Sequence, residues 1–292
     1  MATKKNAFVT HPQETHWVGD GFRVHNFIPA IPGLSMQEMD PFILLDYNAK
    51  RMVAPSETPG GVDVHPHRGF ETVTIAYEGE MEHHDSAKHG GVIRRGDVQW
   101  MTAASGILHK EYHAKEWAKK GGLFQMVQLW TNLPARDKMS APKYQSIPND
   151  TMGKHILPDH AGLVEVIAGE YQGTAGPART HSPIALMNAK LNEGGRAEFS
   201  FPAHYNTALL VIQGHAVVNG TDLPTDNLLK FANEGETFTI EATAPETVVL
   251  VMSGEPLREP IAAYGPFVMN TKQEIMQAMD DYNRGAFGHL ED

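Results

Sequence analysis

Glu71-Thr-Val-Thr-Ile-Ala-Tyr-Glu-Gly79 has a counterpart in the second half of the chain, Asn206-Thr-Ala-Leu-Leu-Val-Ile-Gln-Gly214. Each passes from a Thr through β-branched and aliphatic residues to a Glu or Gln and then a Gly, as a buried strand ending in a turn does. A Gly-acid pair comes later in each half, Gly96-Asp97 and Gly235-Glu236, and is read as opening a further strand. An internal repeat of this kind decides architecture, and it predicts two β-domains of similar topology. The region 133–160 contains prolines and lacks periodicity, so the expected division is a first domain over 1–135, a linker over 136–160 and a second domain over 161–292.

Outward from these two runs, short β-rich stretches at 72–77, 91–93, 125–130, 184–188, 208–213 and 247–252 predict further strands, most of them closed within a few residues by Gly, Pro, Asn or Asp. The chain carries 27 Gly and 19 Pro, which fall as punctuation between such runs and favour an all-β sandwich or barrel. The tail is an exception. Thr271 and Glu274 have the spacing of a capping box, and Ile275, Met276, Met279 and Tyr282 recur at helical spacing before Gly285. A short C-terminal helix over 271–283 is therefore expected.

Composition excludes several classes. With 292 residues, 41% of them hydrophobic, the chain can bury one large core or two ordinary ones. Its 24 Lys and Arg against 35 Asp and Glu give a net charge of −11, which argues against direct nucleic-acid binding through phosphate contacts. The absence of cysteine removes disulfides, thiolate metal sites and cysteine nucleophiles, so a metal would need nitrogen and oxygen ligands. There is no run of about 18 apolar residues to cross a membrane and no signal-like N-terminus, so a soluble, cytoplasmic protein is expected, with the nucleus open to it in a eukaryotic source. Nucleophile-elbow, Walker and dinucleotide motifs are also missing from the sequence.

Sixteen histidines include the strongest chemical signal, His65-Pro66-His67, followed by His109-Lys110-Glu111. Residues i and i+2 of a strand point to one face about 6.5–7 Å apart, so each pair can project two ligands inward. Three imidazoles and a carboxylate suit a borderline divalent cation such as iron(II), manganese, nickel, cobalt or zinc. By contrast, His83 and His84 stand among acids in Met-Glu-His-His-Asp-Ser and read as a solvated hairpin end, as do His89 and His113. Trp100 and Met101 read as core or pocket wall.

His65-Pro-His-Arg-Gly-Phe-Glu-Thr-Val-Thr74, Gly96-Asp-Val-Gln-Trp-Met-Thr-Ala103, Gly106-Ile-Leu-His-Lys-Glu111 and the segments Gly254-Glu-Pro-Leu-Arg-Glu-Pro260 and Gly265-Pro-Phe-Val-Met-Asn270 resemble the pirin family of the cupin superfamily, over roughly 22–282. The resemblance implies a bicupin, two jelly-roll barrels packed face to face, with one metal ion, usually iron, in the N-terminal barrel. It implies His65, His67, His109 and Glu111 as ligands. The commonest cupin pattern would instead nominate Glu71, which shares a face with His65 and His67 in an unbroken strand. Gly69 between them can host a bulge, and Glu71 is expected beside the metal site without ligating it. Aligning Gly214 on Gly79 sets Ser200 and Pro202 opposite His65 and His67, aligning Gly235 on Gly96 sets Val248 and Leu250 opposite His109 and Glu111, and none of the four is an ordinary metal ligand. The second barrel is therefore expected to be metal-free.

The activity implied by the resemblance is that of a quercetin 2,3-dioxygenase, which opens a flavonol ring with O2 and releases carbon monoxide. Glu111 would accept the flavonol hydroxyl proton, and Phe70, Trp100 and Met101 would wall the substrate. The resemblance equally implies an alternative, a non-enzymatic metalloprotein that regulates protein partners. An isomerase or other cupin enzyme acting on a small sugar or keto acid is a third option, because fold does not fix function.

Overall fold

The computed structural model describes residues 2–12 and 14–291, and all six expected runs lie inside strands. The chain forms two compact units. One consists of Gln13–Asn149 with Leu257–Asp292, the other of Met1–Pro12 with Asp150–Pro256.

In the first unit, one antiparallel sheet has the strand order Lys143–Ile147, Val98–Thr102, Phe70–Glu78, Gly122–Asn132, Phe42–Val53, Phe22–Ile28 and His16–Val18. A second sheet has the order Gly61–His67, Ile107–His113, Met81–Asp85 and Gly90–Ile93. The other unit repeats this plan. Its larger sheet runs Asn6–Thr10, Leu228–Phe231, Asn206–Gln213, Thr247–Gly254, Ile184–Leu191, Gly162–Ala168 and Gly153–Ile156. Its smaller sheet runs Arg196–Ser200, Thr237–Ala242, His215–Val218 and Thr221–Pro224. Phe70–Glu78 and Asn206–Gln213, which carry the repeated sequence, hold the same place in their sheets, and the duplicated all-β architecture expected from the sequence is found.

Two expectations about that duplication are corrected. Thr237–Ala242 lies between Arg196–Ser200 and His215–Val218, just as Ile107–His113 lies between Gly61–His67 and Met81–Asp85. The counterpart of the His109 strand is therefore Thr237–Ala242, and setting Val248 and Leu250 against His109 and Glu111 is one strand out. The Gly-acid spacing fails as a guide because Gly235-Glu236 opens this strand, whereas Gly96-Asp97 opens Val98–Thr102. The side chains that alternate inward on the two counterpart strands are apolar. Phe199 packs on Phe238 with ring centroids 5.3 Å apart, joined by Ala197 and Ile240 in one buried core.

The second correction concerns the division into 1–135, 136–160 and 161–292. Asn6–Thr10 pairs with Leu228–Phe231 in the unit built mainly from the second half, and the C-terminal segment belongs to the unit built from the first. Edge pairing between chain positions this far apart leaves no local trace in composition.

The C-terminal helix, Lys272–Asn283, has the expected capping box. Glu274 N–H donates to Thr271 Oγ1, and the Glu274 carboxylate accepts from Thr271 N–H at 2.7 Å. Its buried face differs from the expected stripe. Ile275 and Ala278 are buried with Phe267, Met269 and Phe287, whereas Met276 is 63% exposed and Met279 and Tyr282 about 40%. The small Ala278 side chain lets the helix approach closely, and that selects the face. Two one-turn helices, Met36–Met39 and Lys115–Ala118, and a 3-10 turn, Asn149–Thr151, complete the helical content described. Among the described residues, no helix is long and apolar enough to cross a membrane.

Candidate metal centre

Burial along Ile107–His113 alternates strictly, with Ile107, His109, Glu111 and His113 inside and Leu108, Lys110 and Tyr112 less buried. Period-2 alternation of this strand thus carries both expected ligands to the interior. On one side His109 pairs with His65 and Ile107 with His67. The register shifts between His109 and Glu111, where Glu111 meets Val62, so this strand pair carries an irregularity beside the site.

The rings of His65, His67 and His109 converge. Centroids of His65 and His109 are 4.2 Å apart, and those of His67 and His109 4.7 Å. One ring nitrogen from each of the three lies within 4.8 Å of the others. The carboxylate of Glu111 is brought to His109 in a second, overlapping group whose third member is His83. Gln128 Nε2 donates to one oxygen of Glu111 at 2.9 Å, and the Thr74 hydroxyl, 3.3 Å from the other, lies closer to Gln128 Oε1 at 2.8 Å and ties the amide to the carboxylate.

Glu71 lies apart from both groups. Two residues, Arg68 and Gly69, separate Gly61–His67 from Phe70–Glu78, and these strands belong to different sheets. Gly69 has φ +91°, and a Cβ there would lie 1.9 Å from the Val268 carbonyl oxygen. The break at Gly69 is therefore a corner, larger than the bulge expected, and it removes the shared face that would have made Glu71 a ligand. The Glu71 carboxylate accepts from the hydroxyls of Thr102 at 2.8 Å and Thr131 at 3.0 Å. Lys138, also buried, ties this corner down by donating to Gly69 O, Val268 O and Asn132 Oδ1 at 2.6–2.9 Å.

Burial, and then the neighbouring His65, hold the pKa of His67 and of His109 well below the ordinary histidine value. Both rings are therefore neutral at neutral pH, as metal ligation requires. Nδ1 of His65 faces Asp63 O at 2.8 Å and Nδ1 of His67 faces Pro266 O at 3.4 Å, so each donates from Nδ1 and keeps Nε2 as a lone pair. His109 Nε2 is buried without a hydrogen-bonding partner. A buried ring nitrogen with nothing to bond beside two further imidazoles fits a metal ion, and the donor set is hard to borderline throughout.

His83 and His113 are not solvated, contrary to expectation. His83 is fully buried, its ring stacked on Tyr144 at 5.3 Å, with Nε2 3.4 Å from Asp85 Oδ2 and Nδ1 3.0 Å from Gln99 Nε2. His113 is packed among Phe22, Trp117 and Phe124. Acidic neighbours suggested a hairpin end, but Met81, His83 and Asp85 alternate inward on a strand whose other residues face out. That alternation was the available signal. His84 and His89 are exposed as expected.

Phe70, Trp100 and Met101, the candidate substrate wall, are all fully buried. Phe70 stacks on Trp130 at 4.2 Å, and both rings meet His67 edge-on. A groove of about 1270 Å³ runs past His84, Asp85, His89, Lys110 and Tyr112, and none of the four expected ligands lines it.

Comparison with known proteins adds the following. The profile of the family described as Pirin matches residues 21–131, and that of the Pirin C-terminal cupin domain matches 186–288. A Pseudomonas aeruginosa protein named "putative quercetin 2,3-dioxygenase" is 45% identical over 93% of this chain and 94% of its own length. The rat protein named pirin is 34% identical over 99% of this chain and 95% of its own. A crystal structure of quercetin 2,3-dioxygenase from Acinetobacter baumannii aligns with a TM-score of 0.93 at 46% identity, covering 99% of this chain and all of the other.

Proposed function

This chain belongs to the pirin family, and on that premise we propose that it is a metal-dependent dioxygenase of the quercetin 2,3-dioxygenase type, with His65, His67, His109 and Glu111 as the metal ligands. One observation carries the reading: three imidazoles converge, one of them with a buried nitrogen that bonds nothing, beside a carboxylate held by neutral donors. A bound divalent ion, Fe(II) in this reading, supplies Lewis acidity toward the 3-hydroxyl and 4-carbonyl of a flavonol and so makes its central ring reactive toward O2, with release of carbon monoxide. Glu111 accepts the hydroxyl proton at a carboxylate oxygen. Thr74 and Gln128 orient that carboxylate, while the carbonyls of Asp63 and Pro266 set the imidazoles of His65 and His67. The names of the Pseudomonas and Acinetobacter relatives support the substrate class.

The test is metal analysis of the purified protein and of its His109→Ala variant, with oxygen uptake and loss of flavonol absorbance followed when quercetin is admitted to air. Metal-dependent turnover lost with the metal in His109→Ala is the expected result. Equal metal in both proteins, or no turnover with any of iron, nickel, manganese, cobalt or zinc, overturns the reading.

One observation favours a second reading, a metal-binding regulator of protein partners: Phe70, Trp100 and Met101 are sealed in the core, and a regulator needs no substrate wall. A partner captured by the metal-loaded protein and lost in His65→Ala would support it.

A further inference from the structure

We propose that His83, anchored by Asp85, is a positioning residue that fixes the tautomer of His109 and so delivers the His109 Nε2 lone pair to the metal. The inference rests on the reading of His109 as a ligand and deepens it.

Proton bookkeeping carries the argument. Asp85 is a buried carboxylate whose Oδ1 accepts the backbone N–H groups of Ala87 at 2.9 Å and His89 at 3.0 Å. Burial pushes its pKa up, but the bonds from the His83 side chain and the His89 backbone outweigh that and hold it below the usual carboxylate range. An ionised carboxylate only accepts, so the His83 nitrogen facing it, Nε2, carries the proton. The Gln99 amide nitrogen faces the other ring nitrogen, Nδ1, and can only donate, so Nδ1 of His83 is an acceptor. Two donors share it, the Gln99 amide at 3.0 Å and His109 Nδ1 at 3.5 Å. Without a proton on His109 Nδ1, two lone pairs would oppose each other in a buried space. His109 therefore carries its proton on Nδ1, and the bare nitrogen is Nε2, the atom that bonds nothing else.

Strand register explains how the chain builds this relay. His109 pairs with Asp85 and Glu111 with His83, so all four side chains occupy interior positions on neighbouring strands. Tyr144 stacks on the His83 ring at an interplanar angle of 22° and holds its plane. His65 and His67 have their Nδ1 protons fixed by backbone carbonyls, which no substitution can remove. His109 instead depends on a side chain, His83, and it is the ligand whose readiness a single substitution can abolish. Partners of this kind typically change metal affinity by about 10–100-fold.

The test reads the tautomer first, without metal. Two-bond proton–nitrogen correlation spectra of the metal-free, 15N-labelled protein should show His109 protonated at Nδ1. In His83→Phe, which keeps a ring against Tyr144 but removes the acceptor, and in Asp85→Asn, which frees the His83 tautomer, the Nε2–H form of His109 should appear. Nickel(II) affinity, measured by competition with a chelator, should fall by about 10–100-fold in both. His83→Gln, which restores an acceptor oxygen, should recover most of that loss. Should His83→Phe fail to fold, Asp85→Asn carries the same two readouts. A His109 protonated at Nε2 in the parent protein, or unchanged tautomer and nickel affinity in the variants, overturns the role of His83. A parent protein that takes up no nickel and no iron overturns the metal reading itself.

Discussion

Gly69 passes beneath Val268 so closely that no side chain fits between them: a Cβ on Gly69 would lie 1.9 Å from the Val268 oxygen and 2.8 Å from Met269 Sδ. The corner that separates the His67 strand from the Glu71 strand is thus set against a strand contributed by the far end of the chain. Gly69→Ala meets both a backbone clash and an unfavourable φ, and should cost about 3 kcal/mol or more. Urea unfolding with metal analysis checks this. A variant as stable and as metal-rich as the parent would show that the corner tolerates a side chain.

Lys138 supplies a second prediction at the same corner. Its ammonium donates to three buried or backbone acceptors, and burial lowers its pKa to about 8. Lys138→Met leaves those acceptors unpaired and should destabilise by about 2–4 kcal/mol. Lys5→Met, at a side chain 69% exposed, should stay within about 0.5 kcal/mol. Equal losses in the two variants would contradict this account.

Glu111 and Glu71 should separate by role. Glu111→Gln removes the proposed proton acceptor, and turnover of quercetin should fall by about 10²–10⁴-fold. Glu71→Gln disturbs the bonds from Thr102 and Thr131; it should keep its metal and lose about 1–2 kcal/mol of stability. Metal content and rate measured on the same samples decide. Loss of metal in Glu71→Gln with retention in Glu111→Gln would exchange the two assignments.

Acid sensitivity should trace in part to His113. Burial, and then Arg51, lower its pKa to about 4 in the fold, against about 6.5 unfolded. Between those values the unfolded chain binds more protons, so stability falls as pH drops from about 6.5 toward 4, by at most about 1.4 kcal/mol per pH unit for this group. His113 Nε2 has no hydrogen-bonding partner among apolar rings. His113→Phe should therefore lose less stability than the parent between pH 7 and pH 5. Identical pH slopes in urea unfolding would assign the sensitivity elsewhere.

The legible parts of this molecule were those written in short periods. The repeat at Glu71 and Asn206 announced two similar barrels, and two i, i+2 pairs announced that His65, His67 and His109 converge with Glu111 beside His109, because a strand's alternation is a local property. The same alternation brings His83 inside, although its acidic neighbours have the composition of a surface turn. The helix face departs from the hydrophobic stripe where size matters more than hydrophobicity, Ala278 being buried and Met276 exposed. Correspondence between the halves slipped by one strand at Gly235, and the exchange of chain ends left no mark, since both depend on pairing between distant segments.

That exchange bears on the order of events during synthesis. By the time residue 149 has been made, all four proposed ligands and the His83 relay exist, but Val268 over Gly69, Pro266 O beside His67 and Asp281, which pairs with Arg68 at 2.8 Å, do not. The unit that carries the proposed ligands is completed only by a segment made more than a hundred residues later. A chain that stops before residue 257 carries the histidines without Pro266, Val268 and Asp281, the residues that brace the strand and corner around them.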